Sequence, residues 1–175
     1  MTARLRAGLA VGACCLLGCA RAAAPVPLVA TVDLSRFMGD WYVIACIPTR
    51  LERNAYDAVE SYRLRPDGRI QTTFRYREGL DGPTRTLRPV ASVRPGTGNA
   101  LWGMQFIWPL KAEYRIAYLS ADYSVTIIAR HQRDYAWIMA RTPQIALTDY
   151  LAAVQRLRDW GYDATRLRRV PQRPR

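Results

Sequence analysis

The sequence predicts an all-β fold: an eight-stranded antiparallel up-and-down barrel with one C-terminal α-helix packed outside it. Three observations carry this expectation. Short segments in which apolar and polar residues alternate recur from Gly39 to Ala140, each ended by a proline- or glycine-bearing turn. The connectors are short, so consecutive strands pair in a meander whose last strand can return to the first and leave no exposed edge. Beyond Ala140 the apolar period changes to steps of three and four, which is a helix with one apolar stripe.

The elements follow in order. Residues 1–18 read as a signal peptide: Arg4 and Arg6 precede the apolar stretch Ala7 to Leu17, which is too short to cross a bilayer core of about 30 Å as a helix. Residues 19–31 begin at Cys19, after Leu16-Leu17-Gly18, and continue as an Ala- and Pro-rich, semi-extended tether. The strands are expected at 41–47, 58–64, 69–77, 84–93, 100–108, 113–119, 124–129 and 135–140. Pro48 stops the first, Arg65-Pro66-Asp67-Gly68 turns the second, and Pro109 ends the fifth. In the third strand Ile70, Thr72, Phe74 and Tyr76 share one face, while Gln71, Arg75 and Arg77 share the other. Leu147, Tyr150, Leu151, Val154 and Leu157 form the helical stripe, and Gly161 is placed to cap it. Residues 165–170 read as a short last strand at the barrel edge and 171–175 as a frayed tail, so the folded domain is expected over 32–170.

A chain of 175 residues, half of them hydrophobic, suits one domain with a substantial core. The formal charge is +12 and almost all arginine; Lys111 is the only lysine. The arginines are spread along the chain, with no zinc pattern and no RNA-binding motif, so they read as a solvated basic surface and nucleic acid is not a predicted partner. Cys14, Cys15 and Cys19 lie in the leader and Cys46 stands alone, which is not a disulfide framework. No metal-ligand spacing is present, and no metal or cofactor is predicted. His131 is the only histidine and sits in a turn. Strand parity puts Cys46 opposite Trp41, pointing outward as a spare thiol, and no register brings Asp57 and Glu60 together in a cleft. No catalytic residue is assigned, and the chain does not read as an enzyme.

Gly39-Asp40-Trp41 heads the first strand, Ala121-Asp122-Tyr123 joins the sixth to the seventh, and Arg141 follows the eighth. In order and spacing these resemble the three signatures of the lipocalin family, with Ala121 where the family has threonine. The stretches VDLSRFMGDWYVIA, RLERN, LRPDG, QFIWP and DYAWIMARTP are similar to bacterial outer-membrane lipocalins, over about residues 32 to 163. The resemblance implies that Gly39 lets the chain turn into the barrel and that Trp41 closes one end of it. It also implies that the Arg141 guanidinium stacks on that indole, an interaction of about 0.5–2 kcal/mol, and that Asp122 and Tyr123 tie down the neighbouring turn. Leu16-Leu17-Gly18-Cys19 resembles a lipobox, which implies a diacylglycerol and an amide-linked acyl chain, such as palmitate, on Cys19. Two or more chains anchor stably, at about 0.8 kcal/mol per buried CH₂. Ala20, where inner-membrane retention uses aspartate, favours the periplasmic side of the outer membrane.

With one end closed, the inward positions form a cavity wall. Val43 and Ala45 share the face of Trp41; Thr72, Phe74, Tyr76, Trp102, Met104 and Phe106 join them. Tyr114 and Ile116 lie on a strand whose inward face is left open by the pattern. Such a wall suits an apolar chain, worth about 25 cal/mol per Å² buried, and the resemblance implies a fatty acid or lysophospholipid. Arg50, Arg53, Arg75 and Arg77 are expected as a basic mouth for its head group. The expected function is therefore a lipid-anchored envelope lipocalin that stores or transports such ligands in membrane maintenance. The alternatives are a lipid- or isoprenoid-modifying enzyme, which in the wider family uses an inward cysteine, and a packed barrel that binds an envelope protein. Whether two copies pair as a homodimer is left open.

Overall fold

The computed structural model describes residues 24–50, 52–107 and 109–173; the signal-peptide expectation and Cys19 lie outside them. Eight antiparallel barrel strands run in sequence: β1 (Gly39–Ile47), β2 (Ala55–Leu64), β3 (Ile70–Glu78), a broken fourth made of β4 (Thr84–Leu87) and β5 (Val90–Val93), β6 (Leu101–Ile107), β7 (Leu110–Leu119), β8 (Val125–Ala129) and β9 (Ala136–Ala140). Each pairs with its neighbours, and β9 pairs back onto β1, which closes the barrel. The fourth strand is one run in the sequence expectation. Its break falls at Arg88 and Pro89, because Pro89 has no N–H to give the ladder. Its carbonyl instead accepts from the Thr72 amide at 3.1 Å and from the Thr72 hydroxyl at 2.9 Å.

Two apolar layers result. One fills the barrel interior, with Trp41, Tyr62, Ile70, Trp102, Ile116 and Met139 among its members. The other lies outside, where α2 (Leu147–Asp159) packs Ala153, Val154 and Leu157 against Ile44, Ile47, Ile127 and Ile138. The buried stripe is narrower than the sequence suggests, since Leu147 and Leu151 remain exposed. Gly161, at φ +81°, ends the helix, with the Tyr162 amide donating back to the Leu157 carbonyl.

One irregularity overturns two expectations. The pairing of β1 with β9 shifts register between Val43 and Ala45, so two successive residues, Ile44 and Ala45, face the helix layer. Val43 and Cys46 then face the interior. A β-bulge inverts strand parity beyond it: Ala45 is not on the cavity wall, and Cys46 points inward, not outward. The bulge has a partner in the C-terminal segment. The Val170 amide donates to the Ile44 carbonyl at 2.9 Å, and β10 (Arg168–Arg169) pairs with Ala45 and Cys46.

The expected tail is also seated, at least to Arg173. The Asp57 amide donates to the Pro171 carbonyl, and Gln172 Nε2 donates to the carbonyls of Val43 and Ala58 at 2.9 and 3.1 Å. Arg173 pairs with Asp57 at 2.7 Å. The expected tether is likewise a strap from Ala24 onward. The Val29 amide donates to Ile116, the Val32 amide to Gly98, and Val26 is buried. Gly98 is needed there: a Cβ on it would stand 1.9 Å from the Ala30 carbonyl oxygen.

The strap leads into α1 (Leu34–Phe37), a single turn capped by the Asp33 carboxylate, which accepts from the amides of Ser35 and Arg36. It sets Phe37 into the closed end of the barrel interior, 5.0 Å from Trp41, whose Nε1 donates to the Phe37 carbonyl at 2.9 Å. Gly39 turns the chain upward at φ +91°, and a Cβ there would press on Arg141. The Arg141 guanidinium lies 3.9 Å over the Trp41 ring and donates to the carbonyls of Asp40 at 2.9 Å and Arg36 at 2.6 Å. The Asp122 carboxylate accepts from Ser120 and Ser124, and the Tyr123 hydroxyl accepts from the Asp33 amide at 2.9 Å. Trp41→Ala would leave a cavity at this end at about 3–5 kcal/mol. Thermal unfolding should show Tm lowered by roughly 10 °C, and an unmoved Tm would rule out the indole as the seal.

Candidate functional site: a cavity open at one end

Above the seal the interior is packed solid by rings. Trp102 stacks on Tyr114 at 5.0 Å, Phe37 and Tyr62 meet Trp102 edge-on, and the hydroxyls of Tyr62 and Tyr114 bond each other. Beyond this layer the barrel is hollow. A cavity of about 410 Å³ opens at the other end, within the range of small-ligand sites, roughly 300–1,000 Å³.

The ten residues expected on its wall divide. Phe74, Met104, Phe106 and Tyr114 line it, and Phe106 stands at the mouth, 58% exposed. Val43, Thr72, Tyr76, Trp102 and Ile116 are interior but serve the packed layer and the barrel wall. Thr72 is turned to Pro89 and to the Met104 sulfur, and Tyr76 stacks on Phe74 at 5.0 Å. Ala45 is on the helix side.

The wall also holds residues the sequence reading did not assign: Leu87, Ala112, Tyr135, Trp137, Glu52 and Glu60. Glu60 was legible from parity, for it alternates with Ala58 and Tyr62, but an inward charge runs against the usual rule. Trp137 sits in Ala136–Ala140, buried on both faces, so alternation says nothing about its direction.

The mouth differs from expectation too. Arg50 and Arg130 border it. Arg75 and Arg77 are on the barrel's outer face, lining a separate surface groove with Arg173, since Phe74 and Tyr76 take the inward positions. Arg53 is exposed. Arg130 is held by Asp134 at 3.1 Å, and Glu113 is held by Arg115 at 3.1 Å.

Cys46 faces the interior but is not among the residues lining the cavity. Burial, with the Glu52 charge adding to it, pushes the thiol up to about 12, which disfavours the nucleophilic thiolate. Among the described residues no cluster of three His, Cys, Asp or Glu could hold a metal ion.

The two acids behave differently from surface carboxylates. Burial raises Glu60 well above the ordinary range, and the Glu52 charge raises it further against the pull of Thr72. Glu52 is raised to about 6, again by burial, although the Thr49 amide donates to it at 3.1 Å. A folded-state value above the ordinary 4.5 means that the folded chain holds this proton more tightly than the unfolded chain. The stability contributed by Glu52 is therefore complete below about 4.5 and is lost as the pH rises through about 6. At about 1.4 kcal/mol per pH unit, that loss is on the order of 2 kcal/mol. Glu52→Gln should remove it. In thermal unfolding across this range, the variant should gain on the parent as neutrality is approached; a constant gap would show that Glu52 titrates normally.

Comparison with known proteins agrees with this geometry. The family model for a lipocalin-like domain matches residues 32–172. Temperature-induced lipocalin-1 of Arabidopsis thaliana is 30% identical over 151 residues, covering 81% of this chain and 80% of the relative. Outer membrane lipoprotein Blc of Vibrio cholerae is 25% identical over 158 residues, covering 90% and 92%. Blc of Escherichia coli K12 is 28% identical over 121 residues, covering 69% and 68%. Among solved structures, insecticyanin from the tobacco hornworm Manduca sexta superposes with a TM-score of 0.65 at 16% identity over 85% of each chain. Lobster apocrustacyanin A1 gives 0.64 at 14% identity, over 86% of this chain and 92% of its own; at such identity the likeness is one of fold. The chain, a closed barrel sealed by Trp41 and Arg141 with a mostly apolar hollow above, belongs to the lipocalin family.

Proposed function

We propose that this lipocalin is anchored by lipid at Cys19 to the periplasmic side of the outer membrane and takes up single-chain lipids, fatty acids or lysophospholipids, for storage or transport in membrane maintenance. The observation that carries the reading is the hollow itself: an apolar cavity of about 410 Å³ with one mouth. Burying a lipid chain there is worth about 25 cal/mol per Å². Arg50 and Arg130 at the rim suit an anionic head group left at the mouth. The names of the Blc relatives, outer membrane lipoproteins, support the location.

The strap supports the anchor. Arg133 Nη2 donates to the Ala24 carbonyl at 2.9 Å, and Arg133 lies in the β8–β9 turn beside cavity-lining Arg130 and Tyr135. The chain therefore meets the barrel at its open end. The five residue steps from Cys19 to Ala24 span at most about 18 Å when extended, which keeps the mouth near the membrane that supplies the ligand.

Two measurements test this. In cells fed an alkyne-tagged palmitate, the chain should label and fractionate with the outer membrane, and Cys19→Ser should abolish both; a labelled Cys19→Ser variant would refute the anchor. Palmitate and lysophosphatidylethanolamine should displace the fluorophore N-phenyl-1-naphthylamine from the mature chain. Met104→Trp, which fills the hollow, should weaken that displacement at least tenfold with the barrel still folded; unchanged displacement would place the ligand elsewhere.

A further inference from the structure

The cavity wall is mostly apolar, and two polar atoms deep within it bond nothing. Glu60 is 2% exposed and Trp137 is 4% exposed, and both line the hollow. Glu60 Oε2 and Trp137 Nε1 are buried without a hydrogen-bond partner. They flank one ring. Phe74 is the cross-strand neighbour of Glu60 and lies 5.0 Å from Trp137. Glu60 is also the register partner of Trp41 on β1, so it stands on the first tier above the sealed end.

Leaving such groups unbonded is costly, and native interiors rarely do it. The protein's own polar groups nearby are already engaged. The Thr72 hydroxyl donates to Pro89, and the Tyr135 hydroxyl reaches Glu52. Among the described residues, the cations that line the cavity are Arg50 and Arg130, at its mouth.

The chemistry of the two atoms narrows what they can bind. The indole N–H only donates, so its partner must carry an acceptor. An ammonium group would leave it unbonded, and a carboxylate would set a second charge beside Glu52 and Glu60 in a low-dielectric site. A hydroxyl fits both. It accepts from Trp137 and either donates to Glu60 or accepts from its protonated form.

We infer that Glu60 and Trp137 form a hydroxyl-recognition subsite deep in the cavity, so that the preferred ligand is a long-chain lipid bearing a hydroxyl on the buried part of its chain. This rests on the reading of the hollow as a lipid site and narrows it from single-chain lipids in general to hydroxylated ones. The head group stays at the mouth and the chain fills the apolar length. A purely hydrocarbon tail leaves both polar atoms unbonded.

The test separates this inference from the reading beneath it. The displacement assay with N-phenyl-1-naphthylamine is run at mildly alkaline pH with fatty acids of increasing length, each against its ω-hydroxy and ω-amino counterpart. At the length that reaches the subsite, the ω-hydroxy acid should bind roughly tenfold tighter than the plain acid. In an apolar pocket lacking such a subsite, the added hydroxyl weakens binding, so the sign itself decides. Glu60→Leu and Trp137→Phe should each erase the difference between the ω-hydroxy acid and the plain acid measured on the same variant. Glu60→Leu should also keep or raise Tm, which distinguishes a ligand contact from a structural one. If the plain acids bind but no ω-hydroxy acid gains at any length, the subsite is refuted and the lipid reading stands. That is also the result expected if a bound water already serves the two atoms. Tighter binding of the ω-amino acids would refute it in favour of an ion pair with Glu60. If no acid displaces the fluorophore, both readings fall.

Discussion

The placement of one guanidinium determines which half of this barrel is solid and which is hollow. Arg141 lies across the face of Trp41 and donates to carbonyls of Arg36 and Asp40, with a longer bond to Tyr123. Those three carbonyls belong to α1, to the start of β1 and to the turn before β8. Only a flat, multiply donating cation can stack on a ring and reach three separate acceptors at once. Because the three segments are held together beneath the indole, the rings above it can pack against a fixed floor. Phe37, Tyr62, Trp102 and Tyr114 do so at centroid distances of 5.0 to 6.1 Å.

The other half stays open for a reason that lies in β1 and β2. They pair with each other only where Gly39–Tyr42 meet Val59–Tyr62. Above that they separate, with β1 bulged at Ile44 and β2 shifted in register between Tyr56 and Val59, where Asp57 adopts φ +49°. The C-terminal segment enters the gap. Val170 bonds to β1, Pro171 to β2, and the Gln172 side chain to both. It supplies the ladder bonds the two strands withhold from each other, so the wall is widened on that side without leaving a sheet edge unpaired. The N-terminal strap reinforces β7 across from it through the Val29 amide and the Ile116 carbonyl. The described segments near both ends of the chain thus brace the barrel wall from outside.

The barrel, its helix and the sealed end were legible in the sequence because each is written in local pattern: alternation, turn residues, a change of period, and an ordered set of Gly, Trp and Arg. What was not legible depends on pairing between distant segments. A bulge moves every residue beyond it to the other face, and nothing local at Ile44 announces one; its partner, Val170, is far away in the chain. This is why Ala45 and Cys46 exchanged sides. Pro171, Gln172 and Arg173 look like a frayed end by composition, yet they fill a gap that exists only once β1 and β2 have separated. Arg75 and Arg77 leave the expected mouth by the same parity that correctly put Phe74 and Tyr76 inside, since residues alternating with them must then face out.

The cavity's polar residues complete the argument from stability to function. A sequence selected for stability alone would place leucine at Glu60, because a buried carboxyl with an unbonded oxygen costs more in desolvation than it returns. Glu52, by contrast, is held by the Thr49 amide and Tyr135 at the rim, and a structural role accounts for it. Glu60 has no such account within the chain. The barrel sets it above the packed rings with an indole N–H in the same wall, while the arginines that line the cavity, Arg50 and Arg130, border its mouth. The unbonded carboxyl oxygen and the unbonded indole N–H in this wall are the two groups that the proposed hydroxyl would satisfy.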